Sequence, residues 1–110
     1  MMLVELHVFS GRPNPRLNLD EQQADALLAL QRQLSVTRRP ASVAPALGYA
    51  GFSYRDREGR VVAYDGYVRT DRGVLDDPSM SVERFLLDRL PEEFAALRER
   101  IRAQLDRSRR

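Results

Sequence analysis

His7 is the only histidine in the chain and there is no cysteine, so a Ser-His-Asp arrangement would have to use this one imidazole. Glu5 stands two residues earlier, on the same face of a stretch that alternates as a strand does. A carboxylate beside an imidazole can do general-base work, or bind a metal with help from outside ligands. Further on, Tyr64, Asp65, Tyr67 and Arg69 form a polar group, with Asp65 and Tyr67 pointing to one side and Tyr64 to the other. If the Asp65 side meets His7, a base, an acid and a phenol share one small pocket. His7, Asp65 and Tyr67 are therefore the catalytic candidates. The plainer readings are a hydrogen-bonded structural histidine and ordinary cross-strand pairing in a sheet, and these are favoured.

A second constellation lies in Phe9-Ser10-Gly11-Arg12-Pro13-Asn14-Pro15. Backbone amides at Ser10 and Gly11, with Arg12 and Arg16, could hold a phosphate or carboxylate. Ser10, Gly11, Arg12 and Arg16 are the ligand-binding candidates, and a small anion is the ligand class. The string has one glycine and matches no phosphate-binding fingerprint. The competing reading is a rigid crossing from strand to helix, with Arg12 tied to a carboxylate such as Asp65.

Composition removes much other chemistry. Without cysteine there are no disulfides, thiolate nucleophiles or Cys-rich zinc sites. Lysine is absent too, so all 18 basic residues are arginine, and Schiff-base chemistry and a P-loop lysine are excluded. Asp71, Asp76 and Asp77 lack the spacing of an EF-hand loop. No metal and no cofactor is expected. No apolar run approaches the roughly 20 residues of a membrane span, and Met1-Met2-Leu3-Val4-Glu5 does not open as a signal peptide. The expectation is a cytoplasmic protein without membrane contact.

The arginine-rich end raises nucleic acid. Arg98, Arg100, Arg102, Arg107, Arg109 and Arg110 are interleaved with Glu92, Glu93, Glu99 and Asp106, and the net charge is only +2. Mixed-sign helix faces are usually solvated, and no nucleic-acid-binding signature is present, so nucleic acid is disfavoured. The apolar stripe of that helix, Phe94, Leu97, Ile101 and Leu105, either packs on this chain's own sheet or forms an interface with a partner or a second copy.

These residues need elements to carry them. Residues 2–9 read as a strand, half buried on a core. Asn18-Leu-Asp-Glu21 has the form of a capping box, opening a helix from about 19 to 35. Residues 35–48 read as a long connection. Gly48–Arg55 and Arg60–Arg69 flank Asp56-Arg-Glu-Gly59 and read as one hairpin, with Gly66 marking a bulge or a close approach. Asp77-Pro78 is a helix opening, Asp as N-cap and Pro at the first helical position. Val82, Phe85, Leu86 and Leu90 form its stripe. Pro91 ends it, and a last amphipathic helix follows, frayed over 106–110. The order is strand, helix, hairpin, helix, helix. That predicts one α+β domain over 1–110, a small three-stranded sheet with helices packed on one face.

The string Phe-Ser-Gly-Arg-Pro-Asn-Pro, with Gly48-Tyr-Ala-Gly-Phe52 and Asp77-Pro…Glu83-Arg-Phe-Leu-Leu87, resembles a set of small uncharacterised bacterial proteins carrying that string near the N-terminus. The resemblance implies no function and transfers no site residue. The expected function is a non-catalytic accessory or protein-interaction module, a subunit of a larger bacterial complex. The alternative is a small enzyme or ligand binder with an anion site at the Ser10–Arg16 loop. Nucleic-acid binding through the last helix comes third.

Overall fold

The computed structural model describes residues 1–9, 13–39 and 48–108. Its centre is a seven-stranded antiparallel sheet, which replaces the three-stranded sheet expected from the sequence. The strands are β1 (Met2–Leu6), β2 (Arg16–Leu19), β3 (Ser35–Thr37), β4 (Phe52–Asp56), β5 (Gly59–Tyr64), β6 (Tyr67–Thr70) and β7 (Gly73–Asp76). They lie in the order β2-β1-β4-β5-β6-β7-β3. The helices are α1 (Glu21–Arg32), α2 (Ser81–Leu87) and α3 (Ala95–Arg107), with a 3-10 turn at Glu92–Phe94. The architecture is α+β, and no described helix is long and apolar enough to cross a membrane.

Four extra strands arise where turn chemistry overrides longer apolar runs. Arg60–Arg69 is not one strand. It folds back at Asp65-Gly66, where φ is 54° and 79° at the two central residues, as a type I′ turn requires. Thr70-Asp71-Arg72-Gly73 makes the next hairpin. The Thr70 hydroxyl donates to the Gly73 carbonyl and accepts from the Arg72 amide. Arg16-Leu17-Asn18-Leu19 alternates and pairs with β1, so Asn18 is in a strand and caps nothing. The capping box moves two residues on. The Asp20 carboxylate accepts from the Gln23 amide at 2.7 Å, and the Gln23 carboxamide accepts from the Asp20 amide at 3.0 Å. Within the expected 35–48 connection, Ser35–Thr37 adds to β7 as an edge strand.

One face of the sheet carries the core. Val4 and Leu6, Leu17 and Leu19, Phe52 and Tyr54, and Val61 and Ala63 pack there against Leu27 of α1, Val82, Leu86 and Leu87 of α2 and three residues of α3. Leu97, Ile101 and Leu105 are those three, all buried, and Phe94 is packed against the same core. The stripe singled out as an interface therefore lies inside this chain. The last helix runs through Arg107, and Asp106 pairs with Arg84 at 2.9 Å.

Asp77 does hold the start of α2, but from further back than an N-cap. Its buried carboxylate accepts from the Ser81 amide, the Ser81 hydroxyl and the Val82 amide, while buried Met80 takes a left-handed φ of 58°. From α2 the buried Glu83 reaches the β5–β6 turn. It accepts from the Asp65 amide at 3.1 Å, the Gly66 amide at 2.9 Å and the Tyr49 hydroxyl at 2.6 Å. Burial pushes its carboxyl above the usual range despite those three donors. The Tyr49 phenol is pushed up by its own burial and then by Glu83.

Candidate functional site

The face of the sheet away from the helices is polar, and the strand registers fix its rows. Glu5 of β1 stands opposite Arg16 of β2 and opposite Ser53 of β4. Ser53 stands opposite Val62 of β5, and Val62 opposite Arg69 of β6. One row along, Arg55 is directly opposite Arg60. His7 extends β1 past its last ladder residue. Its amide donates to the Gly51 carbonyl and its carbonyl accepts from the Ala50 amide, both within 2.9 Å. Gly51 sits at φ 91°, and a Cβ there would run into the Ala63 carbonyl oxygen.

The lone imidazole bridges two strands. His7 Nε2 lies 2.6 Å from Ser53 Oγ, and His7 Nδ1 lies 3.7 Å from Glu5 Oε2. With the proton on Nδ1, Nε2 accepts from the Ser53 hydroxyl and the Nδ1–H faces the carboxylate. Glu5 is steered from both sides. Asn14 Nδ2 donates to Oε2 at 3.2 Å, and Arg16 Nε lies 3.7 Å from Oε1. Asn14 also closes the connection from β1 to β2, its Oδ1 accepting from the Val8 amide at 3.0 Å and the Phe9 amide at 2.8 Å. Pro15 cannot donate, but its carbonyl accepts from the Leu6 amide at 2.9 Å, which keeps β2 in register with β1.

A cleft opens beside this relay because β1 serves two neighbours unequally. Its ladder to β2 runs from Met2 to Glu5, but its ladder to β4 holds only Glu5 and Leu6. Met2, Leu3 and Val4 have no ladder partners on β4, and a cleft of about 520 Å³ lies beside them. Leu3, Glu5, Ser53, Arg55 and Arg60 of the strands line it, together with Glu21 and Asp25 of α1. Arg55 and Arg60 are exposed and have no ion-pair partner among the described residues.

Ser10, Gly11 and Arg12 lie outside the described residues. Arg16 stands on β2, facing Glu5. Asp65 is in the β5–β6 turn and Tyr67 at the start of β6, whereas the described partners of the His7 side chain are Ser53 and Glu5. The groups that the structure shows against the His7 side chain come from β1 and β4. Ser53, Arg55 and Arg60 had not been singled out from the sequence. Their signal was the alternation of Phe52 and Tyr54 against Ser53 and Arg55, which places the serine and the arginine together on the polar face. Which strand would lie next to them depended on a non-local pairing.

Among the described residues no group of three His, Asp or Glu side chains stands close enough to hold a metal ion. Comparison with protein-family models, with curated proteins and with solved structures gives no match, so what this chain does is argued from the geometry of the cleft.

Proposed function

We propose that the protein is a small-ligand-binding module whose site is the cleft between β1 and β4. Its ligand carries a carboxylate or phosphate at one end and an ammonium at the other. The observation that carries this reading is the Arg55–Arg60 pair. Two exposed guanidinium groups directly opposite on neighbouring strands repel each other, and sheets normally avoid such a pairing. An anion lying between them turns that repulsion into two charge-assisted contacts with a group whose shape suits guanidinium forks. Glu21 and Asp25 of α1 supply the complementary sign for the cationic end. The cleft volume, about 520 Å³, falls within the range of small-molecule sites.

This reading keeps the anionic ligand expected from the sequence but moves it from the Ser10–Arg16 loop to the sheet. It is preferred to the accessory-module reading, which used the hairpin edge, the Ser10–Arg16 loop and the last helix; of these, the apolar stripe of the helix packs in this chain's own core.

The test is an amide chemical-shift titration at fixed ionic strength with inorganic phosphate and with phosphoethanolamine. Shifts should concentrate on Leu3, Ser53, Arg55 and Arg60. Arg55→Ala and Arg60→Ala should each weaken both probes at least about tenfold, an amount typical of losing one charge-assisted contact. Glu21→Gln with Asp25→Asn should weaken only phosphoethanolamine. Shifts spread evenly over all surface arginines, or affinity unchanged by the Arg55 and Arg60 replacements, would refute the proposal.

A further inference from the structure

Of the Ser53–His7–Glu5 relay, Ser53 and Glu5 line the cleft, and His7 touches both. Ser53 lines the cleft wall, and His7 stands one row further from the mouth, so the hydroxyl has the cleft on one side and the imidazole on the other. The serine is the second residue of β4, and only 9% of its surface is exposed. A nucleophile within hydrogen-bond reach of a base, with the base oriented by a third group, is the arrangement by which serine is activated on unrelated folds. Here the three groups are Ser53 Oγ, His7 Nε2 at 2.6 Å, and Glu5 Oε2 at 3.7 Å from His7 Nδ1. Asn14 and Arg16 hold Glu5 where it can meet the imidazole.

We infer that Ser53 is the nucleophile of an acyl-transfer reaction on carboxylic esters, with His7 as general base and acid and Glu5 as the group that orients it. The preferred substrates are esters bearing a carboxylate or phosphate, a preference that rests on the ligand reading above. In the first step the Ser53 Oγ–H proton passes to His7 Nε2 as Oγ bonds to the carbonyl carbon. The negative charge that builds on the carbonyl oxygen develops on the face that carries Arg55. The tetrahedral adduct collapses, the bond from carbon to the alcohol oxygen breaks, and the alcohol leaves with the proton from His7. A water then attacks the acyl-serine. It gives one proton to His7, and Ser53 departs as the hydroxyl with that proton, releasing the carboxylic acid.

The experiment uses p-nitrophenyl acetate, an uncharged ester, with the whole chain. Release of p-nitrophenolate is followed by absorbance, and the acylated protein is mapped by mass spectrometry of its peptides. The chain has no lysine, which removes the commonest competing acceptor of an acetyl group. The expected result is one acetyl group per chain on the peptide containing Ser53. Ser53→Ala should lose it, and His7→Asn should slow its formation by about a hundredfold or more. Circular dichroism of both variants checks the fold, and mapping of the unmodified protein decides the question even if a variant fails to fold. Acetylation confined to the N-terminus, His7 or tyrosines, or a rate that His7→Asn leaves unchanged, overturns the inference. Acyl-Ser53 in a protein that binds neither phosphate nor phosphoethanolamine would overturn the ligand reading and with it the preference for anionic esters, leaving the nucleophile in place. Binding of both probes with no acyl-Ser53 would overturn only the nucleophile.

Discussion

Glu83 offers the sharpest test of how this fold is held. Its carboxylate is 1% exposed and is the common acceptor for the Tyr49 hydroxyl and the Asp65 and Gly66 amides. Glu83→Ala leaves three donors without a partner, two of them in the turn that joins β5 to β6. An unsatisfied buried donor costs roughly 1–3 kcal/mol. Part of that sum is returned because a buried carboxylate is no longer desolvated, and part because water enters the vacated space. The net loss should be about 3–5 kcal/mol, a large share of the roughly 5–15 kcal/mol available to a domain of this size. Glu83→Gln should cost less, about 1–3 kcal/mol, since one oxygen still accepts two of the three donors while the new NH2 faces the third.

The two variants also separate the charge from the hydrogen bonds. Burial raises the Glu83 carboxyl in the folded protein above its ordinary value of 4.5. The folded state therefore takes up this proton at a higher pH than the unfolded chain does, and stability falls as pH rises through the raised value. This contribution is complete below pH 4.5 and declines as pH rises from there through the raised value. Urea denaturation of the original protein and of Glu83→Gln at pH 5 and pH 7 reads it directly. The advantage of the original protein over the Glu83→Gln variant should be larger at pH 5. A Glu83→Ala variant within about 1 kcal/mol of the original protein, or an advantage that grows toward pH 7, would refute the account.

Two further predictions concern the scaffold of the cleft. Gly51→Ala should cost about 3 kcal/mol or prevent folding, because φ 91° disfavours any side chain and the new Cβ meets the Ala63 carbonyl oxygen and Tyr64 Cβ; a thermal midpoint within a degree or two of the original would contradict it. Asn14→Ala should cost about 2 kcal/mol and speed hydrogen exchange at Val8 and Phe9, whose amides lose their acceptor; protection at those two amides that survives the substitution would show that the turn is closed by something else.

How far the sequence reveals this fold depends on which contacts are local. The type and position of α1 and α3 follow from apolar spacing, and β1, the first five residues of the expected 2–9 strand, follows from alternation. The dipeptide Asp65-Gly66 was a readable hairpin signal, yet the valines and tyrosines on both sides made Arg60–Arg69 look continuous. Pro13 and Pro15 concealed β2 in a similar way. Proline weakens an expectation of pairing through its missing amide, but the hydrogen bond that matters here uses the Pro15 carbonyl. β3 is three residues long and has no internal signal. It is a strand because α1 delivers it to the edge of β7. At the site, the pairing of His7 with Glu5 was legible because both lie on one strand. Ser53 was not, because 46 residues separate it from His7, and only the β1–β4 register brings the two together.

That register also gives the proline-flanked connection a role different from the one its composition suggests. Asn14 lies in it, and a single carboxamide performs two tasks. Its oxygen takes the last amides of the β1 run, which fixes where the chain turns back toward β2. Its nitrogen donates to Glu5, which fixes where that carboxylate lies relative to His7. The β1–β2 pair is therefore more than an edge of the sheet. From Val4 back to Met2, β1 pairs with β2 but not with β4, and the cleft lies in that fork between the two ladders. The residues that close the fork are the same ones that aim the carboxylate, the imidazole and the hydroxyl along its wall. Folding of the connection and assembly of the relay are thus one event, and a change that loosens the first disorders the second.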